Sequence, residues 1–219
     1  MYQTIVPLVG LLIIIIAISY IVINVLNSNK KWKKIADKSG LEFVGQKNMV
    51  IPNELKHFRY FSKKYSKIKL NLLIQSKEGD FRVFKYTSIR YLFRDRFRFN
   101  KKIIIYSKIN KNFELTSIYK KNFKNFFSSA VSENIYGSDY LKLLIEDASN
   151  QFQIISYDKN LDKRQKIKQL SFNLENNFPF EFIEIKDNNI IFNIDFNLLN
   201  NYDDIVKRTE EIISYINKL

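Results

Sequence analysis

Few side chains in this sequence are able to do chemistry, and their neighbours exclude most of them. His57 is the one histidine among 219 residues and there is no cysteine, so a nucleophilic relay of the Ser-His-Asp kind would have to run through it. Its surroundings, "LKHFRY", are basic and aromatic and offer no carboxylate to orient the ring, so a surface or loop histidine is the simpler reading. The missing cysteines also remove disulfides, zinc knuckles and thiolate nucleophiles. Five scattered glycines form neither G-x-G-x-x-G nor G-x-x-x-x-G-K, which excludes a phosphate-cradling loop. "EIK" at 184–186, with Asp158 or Asp162 upstream, has the acid-plus-lysine composition of metal-dependent nucleases. A strand with outward-alternating polar residues produces the same letters. Asp203, Asp204, Glu210 and Glu211 are more simply charges at a helix start and on its solvent face. No catalytic residue, cofactor ligand or metal ligand is assigned, and a non-enzymatic protein is expected.

Charge is the more distinctive feature. The formal net charge is +14, but residues 30–130 hold 26 Lys and Arg against 7 Asp and Glu, whereas residues 131–219 hold 10 against 15. Such asymmetry bears on partners and long-range fields rather than on fold. Its densest part is "RYLFRDRFRFNKK" at 90–102. On an extended strand Arg94, Arg96 and Arg98 fall on one face, with Phe97 and Phe99 on the other. Directed at a bilayer, this ridge would meet anionic lipid headgroups, where each basic side chain contributes on the order of 1 kcal/mol. Formed into a groove it would track nucleic-acid phosphates, a less favoured alternative because the aromatics alternate onto the opposite face and cannot serve as stacking platforms. A solvated basic face is the third reading.

The element next to this basic half is hydrophobic. "IVPLVGLLIIIIAISYIVINVL", Ile5 to Leu26, has no Asp, Glu, Lys, Arg or His, and its length of about 33 Å as a helix matches a bilayer core. It lacks the basic leader, short apolar run and small-residue cleavage site of a signal peptide. Lys30, Lys31, Lys33 and Lys34 follow at one end, whereas the leader "MYQT" has no charged side chain. The lysine bias predicts a single-pass cell-membrane protein with its N-terminus outside and its C-terminal domain in the cytoplasm. Trp32 among those lysines suits the headgroup layer. The bilayer is therefore the expected partner, with anionic headgroups or another membrane protein as further candidates.

The remaining sequence reads as α+β. Residues 1–28 form the transmembrane anchor and 29–219 a domain of mainly antiparallel hairpins packed with helices. A short helix over 29–39 puts Trp32, Ile35 and Ala36 on one side and stops at Gly40. "LEFVG" begins a strand; "IKLNLLIQ" and "FRVFKYTS" form a hairpin around "SKEGD". A second hairpin is expected from "KKIIIYSKI" and "FELTSI" across "NKN", and helices from 119–130 and 138–149, the latter capped by Ser138 with Leu141, Leu144 and Ile145 at helical spacing. "FQIISY" is a strand, 161–176 a polar helix, and "FEFIEIKDNNIIFNIDF" a hairpin around "KDNN". A last helix starts near Tyr202 with Ile205, Thr209, Ile212, Ile213, Ile216 and Leu219 as its buried stripe.

The order of these pieces resembles a family of uncharacterised bacterial single-pass membrane-anchored proteins. The matching residues are Trp32, Ile35, Ala36, Gly40, Leu41 and Phe43 in the entry helix, then Phe58 and Phe61 followed by Asn71 and Leu72. "NFELTSI" at 112–118, "IYGSD" at 135–139 and Glu184 through Phe192 continue the likeness. The chain lacks the prolines that flank the "NFELTSI" block in that pattern. The resemblance implies an anchored cytoplasmic domain and no catalytic residue.

Overall fold

The structure, a computed structural model, describes residues 2–58, 61, 67–92, 96–120, 144–147, 151–156, 160–174, 180–195 and 202–218. Its first element, α1, is one unbroken helix, Tyr2–Ser39, so the apolar span and the entry helix are continuous. The helix stops at Gly40, whose φ of 65° lies in the left-handed region. There the Leu41 N–H donates to the Ala36 carbonyl at 2.9 Å, the closure of a Schellman end. Strand β1 (Glu42–Met49) follows at once, and α1 packs along β1 and β2 (Lys67–Gln75).

Trp32, expected in the headgroup layer, is buried within the protein. The ring is 4% exposed and packs in the core with Ile35 and Ala36. Spacing of three and four residues puts all three on the helix face turned to the sheet, and a large aromatic side chain gains more from that dry contact than from a wet interface. Lys30, Lys31, Lys33 and Lys34 remain exposed.

A short helix, α2 (Asn53–Lys56), separates β1 from β2. β2 and β3 (Phe81–Leu92) form the expected hairpin. Its turn is closed by Gly79 N–H to Ser76 C=O at 3.0 Å and Ser76 N–H to Phe81 C=O at 2.8 Å. Gly79 has φ 73°, a conformation that L side chains rarely adopt. Then come β4 (Arg96–Lys120), β5 (Leu144–Asp147), β6 (Phe152–Ser156), α3 (Leu161–Leu174), β7 (Phe180–Asp195) and α4 (Tyr202–Lys218). All pairings are antiparallel, and the class is α+β as expected.

The centre of the sheet is built differently from the two simple hairpins foreseen there. β4 pairs with β7 from Lys102↔Asp195 to Lys108↔Asn189, breaks register, and resumes from Phe113↔Asp187 to Tyr119↔Phe182. Twelve residues separate Glu181 from Asn193 and would span about 40 Å if extended, yet the Asn193 amide donates to Glu181 Oε2 at 2.9 Å. β7 therefore doubles back, and the reversal falls at Asp187, whose φ is 53°. Lys102 is ion-paired with the same Glu181, although Tyr119 pairs with the neighbouring Phe182. β4 must then double back too, over 109–112. β3 lies on the first arm of β4 and β6 on the second. The two arms of β4 thus straddle the folded β7, and the order across the sheet is β1, β2, β3, β4, β7, β4, β6, β5. The chain does reverse at "NKN", but its arms pair with β7 instead of with each other.

Both sheet faces are covered. On one, Val83, Ile103, Ile105, Ile190, Phe192 and Ile194 meet Trp32 and Ile35 of α1, Ile167 and Leu170 of α3, and Ile205, Ile212 and Ile216 of α4. On the other, Leu70, Leu72, Phe84, Tyr86, Ile104 and Tyr106 pack with Leu55, Phe58 and Phe61. Of the stripe foreseen on α4, Thr209 is buried and donates to the Ile205 carbonyl at 2.7 Å, Ile213 packs partly buried, and Leu219 lies outside the described residues. Two expectations for helices change. Leu144–Asp147 is a strand on the edge of β6, because two adjacent apolar residues satisfy strand as well as helix spacing and β6 offers a ladder. Ser138 and Leu141 lie outside the described residues. Tyr119 and Lys120 end β4, and the rest of the segment expected to be helical over 119–130 is likewise outside.

Candidate functional site

The basic segment 90–102 is not one strand. It comprises the end of β3, a reversal and the start of β4, which pair through to Leu92↔Arg96. Arg94 lies outside the described residues, and Arg96 and Arg98 stand two apart on β4. Among the described residues, β2 accompanies β3 as far as Ile89, opposite Lys67, and β7 accompanies β4 from Lys102, opposite Asp195. Beyond these limits β3 and β4 continue, among the described strands, as a two-stranded ribbon.

Directly opposed residues share a face of such a ribbon. Arg90 stands opposite Arg98 and Leu92 opposite Arg96, whereas Tyr91 stands opposite Phe97 and Ile89 opposite Phe99. The register therefore puts positions 90, 92, 96 and 98 in one alternation set and 89, 91, 97 and 99 in the other. Arg90, which is outside the ridge expected from the sequence, stands in register with Arg98. Reading the stretch as one strand hid Arg90, since "FRDR" has no glycine, proline or asparagine to mark a turn. The aromatic positions continue the helix-covered face of Val83 and Ile105 by alternation. Between them and the core, burial and the neighbouring Lys101 charge hold the Lys85 ammonium below its ordinary pKa.

At the opposite end of the sheet, where β4 crosses the tip of β7, lies a cleft of about 550 Å³ lined by Asp80, Lys108, Asn110, Asn112, Asp187 and Asn188 among others. Its rim is tied to three other elements. The Lys108 ammonium pairs with Asp80 at 2.6 Å, the Asn110 N–H donates to Asn217 Oδ1 on α4 at 2.8 Å, and Lys163 of α3 donates to the Asn112 carbonyl at 3.4 Å. Beneath it the Tyr106 hydroxyl donates to Asn189 Oδ1 at 2.6 Å.

Burial, reinforced by the Glu54 carboxylate and opposed by Arg82, pushes the Tyr106 phenol up to about 12. Because that lies above the unfolded value near 10, its contribution to stability is complete below about pH 10 and is lost as pH rises through about 12. Tyr106→Phe should show a smaller loss of stability across this window than the native chain. At neutral pH it should cost about 1 kcal/mol for the missing hydrogen bond. Urea denaturation midpoints of both proteins at rising pH measure the difference, and parallel curves would refute it.

The other chemistry-bearing residues do not converge. His57 is exposed just after α2. Glu184 is 1% exposed and opposes Ser117, whose hydroxyl is buried without a hydrogen-bond partner. By strand alternation Glu184 faces away from α3, so the sheet separates it from the exposed Asp162, and Asp158 is outside the described residues. No three His, Asp or Glu residues among those described are grouped to hold a metal.

Neither a protein-family model nor a curated protein matches the chain, so the resemblance drawn from its motifs is not accompanied by a family assignment. Among solved structures it is similar to the mycobacterial trehalose monomycolate transport factor A, TtfA, with a TM-score of 0.52 over 87% of this chain and 95% of that one. The likeness is one of fold. At 11% identity, it brings no residue role with it.

Proposed function

We propose that this is a single-pass membrane protein, N-terminus outside and domain in the cytoplasm, that serves as a non-enzymatic accessory or interaction protein. The observation that carries the reading is α1. From Ile13 to Ser39 it is long and apolar enough to cross a membrane, and the large apolar side chains of its first part, Ile13 to Leu26, are exposed. The last turns, Trp32 to Ala36, are instead locked in the domain core. A water-facing stripe of isoleucines this long would cost far more than a globular domain tolerates, whereas lipid accepts it. An unbroken helix rooted in the core would couple the domain directly to the anchor. The fold neighbour is named as a transport factor, which supports an accessory role at a membrane. The lysines after the span support the cytoplasmic side.

The test is fractionation with protease protection. The protein should remain in carbonate-washed membranes, survive external protease in intact spheroplasts and be digested in inverted vesicles. Digestion from outside with the membrane intact would reverse the topology, and release by carbonate would remove the anchor. A metal or nucleotide that co-purifies in stoichiometric amount would count against a non-enzymatic role.

A further inference from the structure

We propose that Lys69, Lys85 and Lys101, neighbours on β2, β3 and β4, form a docking surface for the anionic lipid headgroups of the leaflet from which α1 emerges. The inference rests on the reading of α1 as an anchor and adds a second contact with the same membrane. Its first support is register. Thr87 of β3 stands opposite Lys69 of β2 and opposite Lys101 of β4, so these residues share one level and one face across three strands. Lys85, two positions along β3 from Thr87, lies on that face as well. It is the face on which α1 packs, because Val83 and Ile103, two positions from Lys85 and Lys101 respectively, belong to the core that holds Trp32 and Ile35.

The second support is level. α1 is joined to β1 through Gly40 and Leu41 alone, and Trp32, about two turns before its end, is still buried in the core, so the helix runs back along β1. β1 runs from the register of Gln75 toward that of Leu70, which is the direction from Arg82 to Thr87 on β3. Going back along α1 therefore leads toward the lysine row. From Arg82, opposite Gln75, Lys85 is about 10 Å and Thr87 about 17 Å along the strand. The same distances counted back from Ser39 reach about Trp32 and about Ser28 of the helix. The lysines thus lie beside the turns that carry Lys30, Lys31, Lys33 and Lys34 and short of the exposed apolar run that ends at Leu26. Inclining the helix to the strands moves this level toward Lys33, farther from that run.

The third support is charge. Lys69 and Lys101 are exposed and Lys85 is half-buried. Among the described residues neither Lys69 nor Lys101 has an ion-pair partner. Burial and the Lys101 charge both disfavour the Lys85 ammonium, and an anion beside the two lysines would offset their repulsion. Lys30, Lys31, Lys33 and Lys34, all exposed at this level, extend the surface, and the cytoplasmic leaflet carries the complementary negative charge.

The test is lysine footprinting of the full-length protein in nanodiscs of phosphatidylcholine with or without phosphatidylglycerol. A brief pulse of an amine-acylating reagent, read lysine by lysine by peptide mass spectrometry, has Lys77 and Lys108 at the opposite end of the sheet as internal references. Labelling of Lys69 and Lys101 relative to these should fall several-fold in anionic discs only, and high salt should restore most of it. Because the chain has no cysteine, single dye probes add a second measurement. A Thr87→Cys probe should be quenched by headgroup spin-labelled lipid in anionic discs, and the K69Q/K101Q background should lower its docked-to-free ratio by up to about 30-fold. The footprint uses the native chain and stands if the double variant fails to fold. Equal labelling of Lys69 and Lys101 in neutral and anionic discs, while an Ile18→Cys probe reports hydrocarbon, would overturn the docking surface and leave the anchor intact. An Ile18 probe in water would overturn the anchor itself and the contact that depends on it. Protection of the same lysines by duplex RNA in neutral discs, with none from phosphatidylglycerol, would replace the proposal with nucleic-acid binding.

Discussion

Trp32→Ala is expected to destabilise the domain by about 3–5 kcal/mol, the usual cost of truncating a large buried aromatic. The ring is 4% exposed and packs in the larger core cluster alongside Ile35 and Ala36, so its removal opens a cavity that the helix end and the sheet cannot both collapse to fill. The discriminating feature is the setting. A core tryptophan loses its contribution in detergent as fully as in lipid, whereas a headgroup tryptophan would show a loss only where a bilayer is present. Denaturant titrations of Trp32→Ala and Trp32→Phe in detergent and in nanodiscs should give the same deficit in both media, with Phe recovering part of it. A deficit confined to nanodiscs would return Trp32 to the interface. Because α1 is unbroken from Tyr2 to Ser39, the variant should also loosen the coupling between anchor and domain. Proteolysis near residues 27–31 would then rise in step with the stability loss.

Asp187 gives the second large effect, with signs that separate two architectures. If β7 were a continuous strand, Asp187→Val would strengthen it and Asp187→Gly would weaken it, following β propensity. At φ 53° the order inverts. Gly should stabilise by roughly 0.5–1 kcal/mol, Val should cost about 1–2 kcal/mol in left-handed strain, and Pro should cost more than either because its ring cannot reach a positive φ. Thermal or urea unfolding of the three variants decides the matter, and a Val variant more stable than native would refute the reversal. The losses should be larger than for an ordinary surface turn, since the tip of β7 sits where β4 crosses over and where Phe113 pairs with Asp187.

Much of this fold was legible locally. An uncharged run of bilayer length, the lysines after it, Gly40 as a helix stop, the β2–β3 turn around Gly79 and the stripe of α4 depend on nearest neighbours, whose constraints are written in adjacent letters. The reversals of β4 and β7 were also visible, in "NKN" and "KDNN". The partner of each arm was not. Placing β7 between the arms of β4 joins Lys102 to Asp195 and Tyr119 to Phe182. Those pairings are settled by which apolar faces can be buried together, and alternating isoleucines and phenylalanines satisfy many registers equally. The same degeneracy made Leu144–Asp147 read as helix until the edge of β6 supplied its ladder.

The letters by themselves put Arg96 and Arg98 two positions apart and set a basic half next to the apolar run. Only the tertiary structure decided that Arg90 stands opposite Arg98 and that β4 pairs with β7 from Lys102 onward. The tertiary structure also decided that α1 is rooted in the core through Trp32. Charge and hydrophobicity are additive along a chain and survive any fold. Opposition, overhang and burial belong to pairs of segments distant in sequence, and exist only once the sheet has selected its register.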